Sequence, residues 1–173
     1  MPDLFEVKGA AKVRCFGKEA VLDGLKQPSG TLIGRITPDE VIFVGEVGTA
    51  AALVEDLQGQ LAGEGNAALV VDHTDGWSLF SLVGEGIEEV FAREANWKLP
   101  VSNGEPVFTV GKVCHVAGKL FVRPNRIDIM TGAEVHLHVR EALNHAGHKV
   151  NMHEIDAPAV DPIGIGTEGV TVS

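Results

Sequence analysis

Residues 69–91, LVVDHTDGWSLFSLVGEGIEEVF, decide how this chain folds. Leu69, Val70 and Val71 make an apolar, mostly β-branched run too short for a helix, and read as a strand. Asp75-Gly76 follows, a dipeptide that favours a two-residue hairpin turn because glycine accepts positive φ at little steric cost. Trp77–Val83 resumes as a strand. Its alternation puts Trp77, Leu79, Ser81 and Val83 on one face and Ser78, Phe80 and Leu82 on the other. Apolar bulk on both faces predicts a central, covered strand. Gly84 and Gly86 break that period, and Ile87, Val90 and Phe91 restart it at helical spacing. The expectation is a buried hairpin with a helix folded back on it.

Upstream, residues 1–17 read as an irregular arm with one short strand at Val13–Phe16. Lys18–Leu25 reads as a short helix, closed by the turn formers Gln27-Pro28-Ser29-Gly30. Thr31–Ile36 and Val41–Val44 are strands, joined by Thr37-Pro38-Asp39-Glu40 with Pro38 at the first central turn position. Ala50, Leu53, Val54, Leu57 and Leu61 form a helical apolar stripe. Downstream, Lys98–Glu105 is a turn-rich loop. Val107–Val116 is a strand bent at Gly111, and Ala117-Gly118-Lys119 turns it into Leu120–Arg123. Pro124-Asn125 turns again into Arg126–Met130. A third helix covers about 133–146, with Val135, Val139, Ala142 and Ala146 on its core face. Hairpins joined by helices predict an α+β fold with antiparallel or mixed sheets.

The domain organisation expected is one α+β domain over residues 1–148 and an extended arm over 149–173. The arm is rich in Pro and Gly, yet carries Ile155, Val160, Ile163, Ile165, Val170 and Val172. It packs on another subunit or back on this one, or it frays.

The chain has 173 residues, 45% of them hydrophobic, and a formal net charge of −10. That acidity, with no basic cluster, argues against a nucleic-acid role. No apolar run approaches the roughly 18 residues that span a bilayer, and the N-terminus has no secretory pattern. Cys15 and Cys114 stand alone without a CxxC partner, which fits a reducing, cytoplasmic setting and two buried thiols.

The chemistry-bearing candidates are few. Gly84-Glu85-Gly86 resembles the start of a dinucleotide fingerprint, but Glu89 stands where the third glycine belongs. A carboxylate there would repel a pyrophosphate, so the stretch reads as a turn. Glu134, His138, Glu141, His145 and His148 recur at spacings of four and three, on one helical face. Their residue types suit zinc, but groups on one helix surface splay apart, and the ordinary reading is a solvated or subunit-facing polar stripe. His136 points elsewhere, near the core edge. Asp72, His73 and Thr74 crowd the expected hairpin, where Asp and Thr side chains usually bond the local backbone. An Asp-His catalytic pair is disfavoured because strand neighbours point to opposite faces.

A set of anchors in order resembles the gamma subunits of heterotetrameric sarcosine oxidases, and through them the folate-binding module of glycine cleavage aminomethyltransferases. The anchors are Leu25 and Pro28 before a Gly-led strand, Pro38-Asp39-Glu40 before Val41-Ile42-Phe43-Val44, Val71-Asp72 with Thr74-Asp75-Gly76, Leu82 with Gly84, and Phe108 to Gly111. They cover about residues 20–146. The usual tryptophan after Pro-Asp-Glu is Val41 here, and a usual late threonine is His115. The aminomethyltransferases place an aspartate near the turn between the late strands; the turn expected here, Ala117-Gly118-Lys119-Leu120, has no acid. The resemblance therefore implies the module without its chemistry. By that likeness the chain is a non-catalytic accessory subunit of a flavin-dependent oxidase or demethylase acting on sarcosine or a related N-methyl amine. It would carry no catalytic residue and no metal ligand, and which residues contact a cofactor stays unassigned. FAD, FMN, NAD and tetrahydrofolate would sit on larger partner subunits in a cytoplasmic hetero-oligomer. The alternatives are a stand-alone tetrahydrofolate-dependent one-carbon protein, or a metal-binding protein using His138, His145 and His148.

Overall fold

A computed structural model describes residues 1–166. In chain order its strands are β1 (Asp3–Glu6), β2 (Ala10–Phe16), β3 (Thr31–Thr37), β4 (Glu40–Val47) and β5 (Leu69–Asp72), then β6 (Trp77–Val83), β7 (Val107–Val113), β8 (Val116–Arg123), β9 (Arg126–Gly132) and β10 (His153–Glu154). The helices are α1 (Glu19–Asp23), α2 (Ala50–Leu61), α3 (Ile87–Glu94) and α4 (His136–Gly147). The fold is α+β, with two sheets built almost wholly of antiparallel pairs.

The chain divides into two compact units, one made of Met1–Lys8 and Asp75–Ala157, the other of Gly9–Thr74 and the stretch from Pro158. Residues 1–148, read above as one domain, are shared between them, and so is the stretch after 149. Its first part turns at Asn151 and adds β10 in parallel beside β1, so Asp3 faces His153. Arg140 on α4 pairs with Glu154. Val170 and Val172 lie outside the described residues.

The first unit holds a six-stranded sheet in the order β10-β1-β6-β9-β8-β7. One face of it is the core: Phe80 and Leu82 of β6, Leu120 of β8, and Ile127 and Ile129 of β9 pack with Ile87, Val90 and Phe91 of α3 and Val139, Leu143 and Ala146 of α4. The period of α4 is as read, with Leu143 rather than Val135 or Ala142 among its fully buried positions. The second unit holds a four-stranded sheet in the order β3-β4-β2-β5. Leu53, Leu57 and Leu61 of α2 pack there with Val13, Cys15, Val41 and Phe43. The β3–β4 hairpin and α2 form where the sequence placed them.

Three expectations fail. The 69–83 stretch is not a hairpin: β5 pairs with β2 in one sheet, while β6 lies between β1 and β9 in the other. A two-residue hairpin turn of the favoured kind needs positive φ, and neither Asp75 nor Gly76 has it. The Asp-Gly stretch is instead where the chain leaves one sheet for the other. The late turn is also misplaced. It falls at Cys114-His115, both at positive φ (53° and 67°), and Gly118 is inside β8 opposite Gly111. Residues 1–17 are not an irregular arm but two strands, β1 and β2, each paired on both sides. Buried Lys12 hid the apolar character of β2, all of whose residues from Ala10 to Val13 are buried.

Candidate functional site

The sheet of the first unit carries its polar residues on the face away from α3 and α4. Ser81 and Asp128 lie directly opposite on β6 and β9. Ser81 Oγ donates to Asp128 Oδ1 at 2.6 Å. Arg126 Nε donates to the same oxygen at 2.9 Å, and Arg123 donates to Oδ2 at 2.7 Å. Arg126 also donates to Ser81 Oγ at 3.1 Å. Asp128 and Ser81 are fully buried, and Arg123 nearly so. A lone carboxylate in such a place would be very costly; two guanidiniums and a hydroxyl fill its acceptors and make it tolerable. This network is not legible in the sequence. Its only signal was three charged residues, Arg123, Arg126 and Asp128, flanking a tight turn inside strands that are otherwise apolar.

Beside the core face, a cleft of about 420 Å³ opens between α3, residues 97–102 and the β8–β9 turn. Its walls include Ile87, Phe91, Trp97, Leu99 and Ile127. Trp97 is fixed from three sides. Its Nε1 donates to the carbonyl of Lys112 at 2.8 Å, its ring meets Phe91 edge-on at 5.2 Å, and it covers Gly111 so closely that a Cβ there would lie 2.5 Å from the indole. Gly111 is thus required by close approach and not by a bend. The sequence marked residues 98–105 only as a turn-rich loop.

The β7–β8 hairpin holds an unusual turn, since two successive residues sit at positive φ and neither is glycine. Tertiary hydrogen bonds hold it there. Cys114 N donates to Glu94 O at 2.9 Å, and His138 Nε2 bonds Cys114 O at 2.7 Å. Burial, with a smaller push from Glu94, raises the Cys114 thiol to about 12; burial alone raises that of Cys15 equally. Both remain protonated, small apolar groups.

The candidates singled out from sequence do not converge. His138 reaches Cys114, His136 Nδ1 bonds the carbonyl of Ala133, and Glu141, His145 and His148 are exposed on α4 and the turn after it. Among the described residues no three His, Cys, Asp or Glu side chains gather as a metal site. Gly84 and Gly86 are turn residues at φ 109° and 88°, and Glu89 pairs with Arg93 one helical turn on. Asp72 accepts hydrogen bonds from Thr74 N and Oγ1, a local turn of the kind expected.

Neither any family profile nor any curated protein sequence matches this chain. Solved structures do. A chain of heterotetrameric sarcosine oxidase from Corynebacterium sp. U-96 matches with a TM-score of 0.73 and 20% identity, over 86% of this chain and 84% of that one. Glycine cleavage system aminomethyltransferase T from Bartonella henselae matches with a TM-score of 0.59 and 14% identity, over 89% of this chain. The match covers 47% of that enzyme, so this chain spans about half its length. At these identities the likeness is one of fold.

Proposed function

We propose that this chain is a non-catalytic, gamma-like accessory subunit of a flavin-dependent oxidase or demethylase that acts on sarcosine or a related N-methyl amine. The observation that carries this reading is the near end-to-end fold match to a chain of a heterotetrameric oxidase. The polar chemistry of the chain supports it. Among the described residues, the two acids buried as whole residues, Glu40 and Asp128, each pair with arginine. Both carboxylates already have charged partners, so neither offers a pterin a free contact. Flavins, NAD and folate belong, on this reading, to larger partner subunits. Two unpaired, buried cysteines support a cytoplasmic setting. The test is affinity purification of the tagged chain from its native host. A stoichiometric yellow complex that oxidises an N-methyl amine is expected. The reading falls if the chain elutes alone while flavin-bearing oxidase subunits assemble and turn over without it.

The aminomethyltransferase likeness favours one second reading, a stand-alone folate-dependent one-carbon protein. Calorimetric titration with tetrahydrofolate decides it, and heat of binding at micromolar ligand would promote it over the first.

A further inference from the structure

We propose that residues 153–157 form a releasable clip on the edge of the six-stranded sheet, closed by the ion pair of Glu154 with Arg140, and that its opening bares β1 while the rest of the first unit stays folded. This is independent of the accessory-subunit reading above. β10 is two residues long and is the outermost strand, beside β1. It is the parallel exception in a sheet of antiparallel pairs, and parallel pairing is slightly the weaker per residue. His153 N donates to the Pro2 carbonyl at 3.1 Å, and Ile155 N to the Leu4 carbonyl at 2.9 Å.

What holds the clip is polar. Every residue from His153 to Asp156 is exposed, so lifting it costs little apolar burial. β1, by contrast, buries Leu4 and Phe5 and pairs along its whole length with β6. Glu154 supplies the clasp. One carboxylate oxygen accepts from Arg140 Nε, and the other from Asn144 Nδ2 at 2.8 Å. The side chains of Arg140 and Glu154 are 48% and 34% exposed, within reach of screening ions. The fixed end lies just before the clip. Met152 packs so closely on Gly147 that a Cβ there would lie 2.3 Å from Met152 Cε, and Met152 N donates to the Gly147 carbonyl at 3.0 Å. One residue earlier, Asn151 turns the chain at φ 55°, a conformation that asparagine tolerates. A bare sheet edge is a template for strand pairing, and the clip covers this one. When it lifts, the carbonyls of Pro2 and Leu4 face solvent.

Hydrogen exchange of the whole chain, read amide by amide by NMR, tests this. The His153 and Ile155 amides should show protection factors about tenfold or more below that of Val7, whose amide ties the end of β1 to the Leu79 carbonyl. Glu154→Gln should lower the protection of both clip amides about twofold to fivefold and leave Val7 and Cys114 at parental values, which also shows that the variant is folded. Arg140→Glu should lower it further, and adding Glu154→Arg to the same chain should bring it back. Raising sodium chloride from about 0.02 M to about 0.5 M should lower clip protection in the parent and not in Glu154→Gln, because only the parent has this charge pair to screen. Clip amides as protected as Val7 overturn the proposal, since β10 then opens only with the sheet. Loss of Val7 protection together with the clip in Glu154→Gln overturns it likewise. Parental clip protection in Glu154→Gln, or an equal salt response in both chains, overturns it too, since the ion pair then does not close the clip.

Discussion

Asp128 in the six-stranded sheet and Lys12 in the four-stranded sheet are both withdrawn almost completely from solvent. Their surroundings differ in kind. Asp128 is answered by opposite charge, from Arg123 and Arg126, with Ser81 completing its shell. Lys12 Nζ reaches backbone carbonyls, of Ala10 at 2.9 Å and Thr74 at 3.1 Å. An ion pair compensates desolvation by attraction between full charges; a carbonyl shell does so with dipoles that the backbone already fixes in place. The difference predicts which change is costly. Removing the charge at 128 takes away the carboxylate to which both arginines bond. Removing it at 12 takes a donor from two neutral carbonyls.

Three substitutions turn that contrast into numbers. Asp128→Asn should have the largest effect, a loss of about 3–5 kcal/mol in urea unfolding at neutral pH, because it removes one of two charges from a buried ion pair and a second arginine's bond with it. A loss under about 1 kcal/mol, the range of exposed pairs, would mean that solvent reaches the network. Lys12→Met keeps the volume and orphans the two carbonyls, for about 1–3 kcal/mol. Glu40→Gln comes third, at about 1 kcal/mol. Arg14 holds Glu40 at 2.6 Å, but that pair is partly solvated, and the amide oxygen still accepts. Each unit carries its own reporter, Cys114 in the first and Cys15 in the second, both buried. Alkylation in mild urea should therefore speed up at Cys114 for Asp128→Asn and at Cys15 for Lys12→Met. The reverse pattern would break the assignment of each charge to its own unit.

Much of this was legible before the structure, and what was not follows a rule. The β3–β4 hairpin and α2 declare themselves through local chemistry: Pro38 presets the turn, and an uninterrupted apolar run or stripe follows. The failures lie where distant contacts decide. Asp75-Gly76 has the composition of a hairpin turn, but the four residues of β5 find their partner in β2, sixty residues back in round terms, and local propensity cannot see it. Cys114-His115 makes a positive-φ turn without a glycine to mark it, held by Glu94 and His138. Gly111 and Gly118 look like a bend and a turn, yet they sit opposite each other in a ladder, and Gly111 is small for the sake of Trp97. Asp128 looks like an ordinary solvent-facing position of an alternating strand. Only its partners on β6 and the β8–β9 turn reveal that it is buried.

The smallest effect tests the edge of the Lys12 site. Lys12 N donates to Thr74 Oγ1 at 3.2 Å, and that hydroxyl donates to Asp72 at 2.6 Å. Asp72 therefore anchors the loop whose Thr74 carbonyl faces Lys12 Nζ. The Thr74 hydroxyl, then the Thr74 amide, with smaller help from Lys12 and His73, hold its carboxyl below the ordinary 3.8 against a mild opposing push from burial. With the folded value depressed, the unfolded chain binds the proton first, so stability rises with pH through that window. The contribution is complete above the unfolded value, about 3.9, and disappears as pH falls through the folded one. The carboxylate is mostly exposed, and solvent screening limits the effect to about 0.5 kcal/mol. Asp72→Asn should thus trail the parent by a constant small margin near neutrality, and the two should converge below about pH 4. If the two showed no margin at any pH, the loop would be held without the carboxylate, and the carbonyl shell would need no help from it to stay in place.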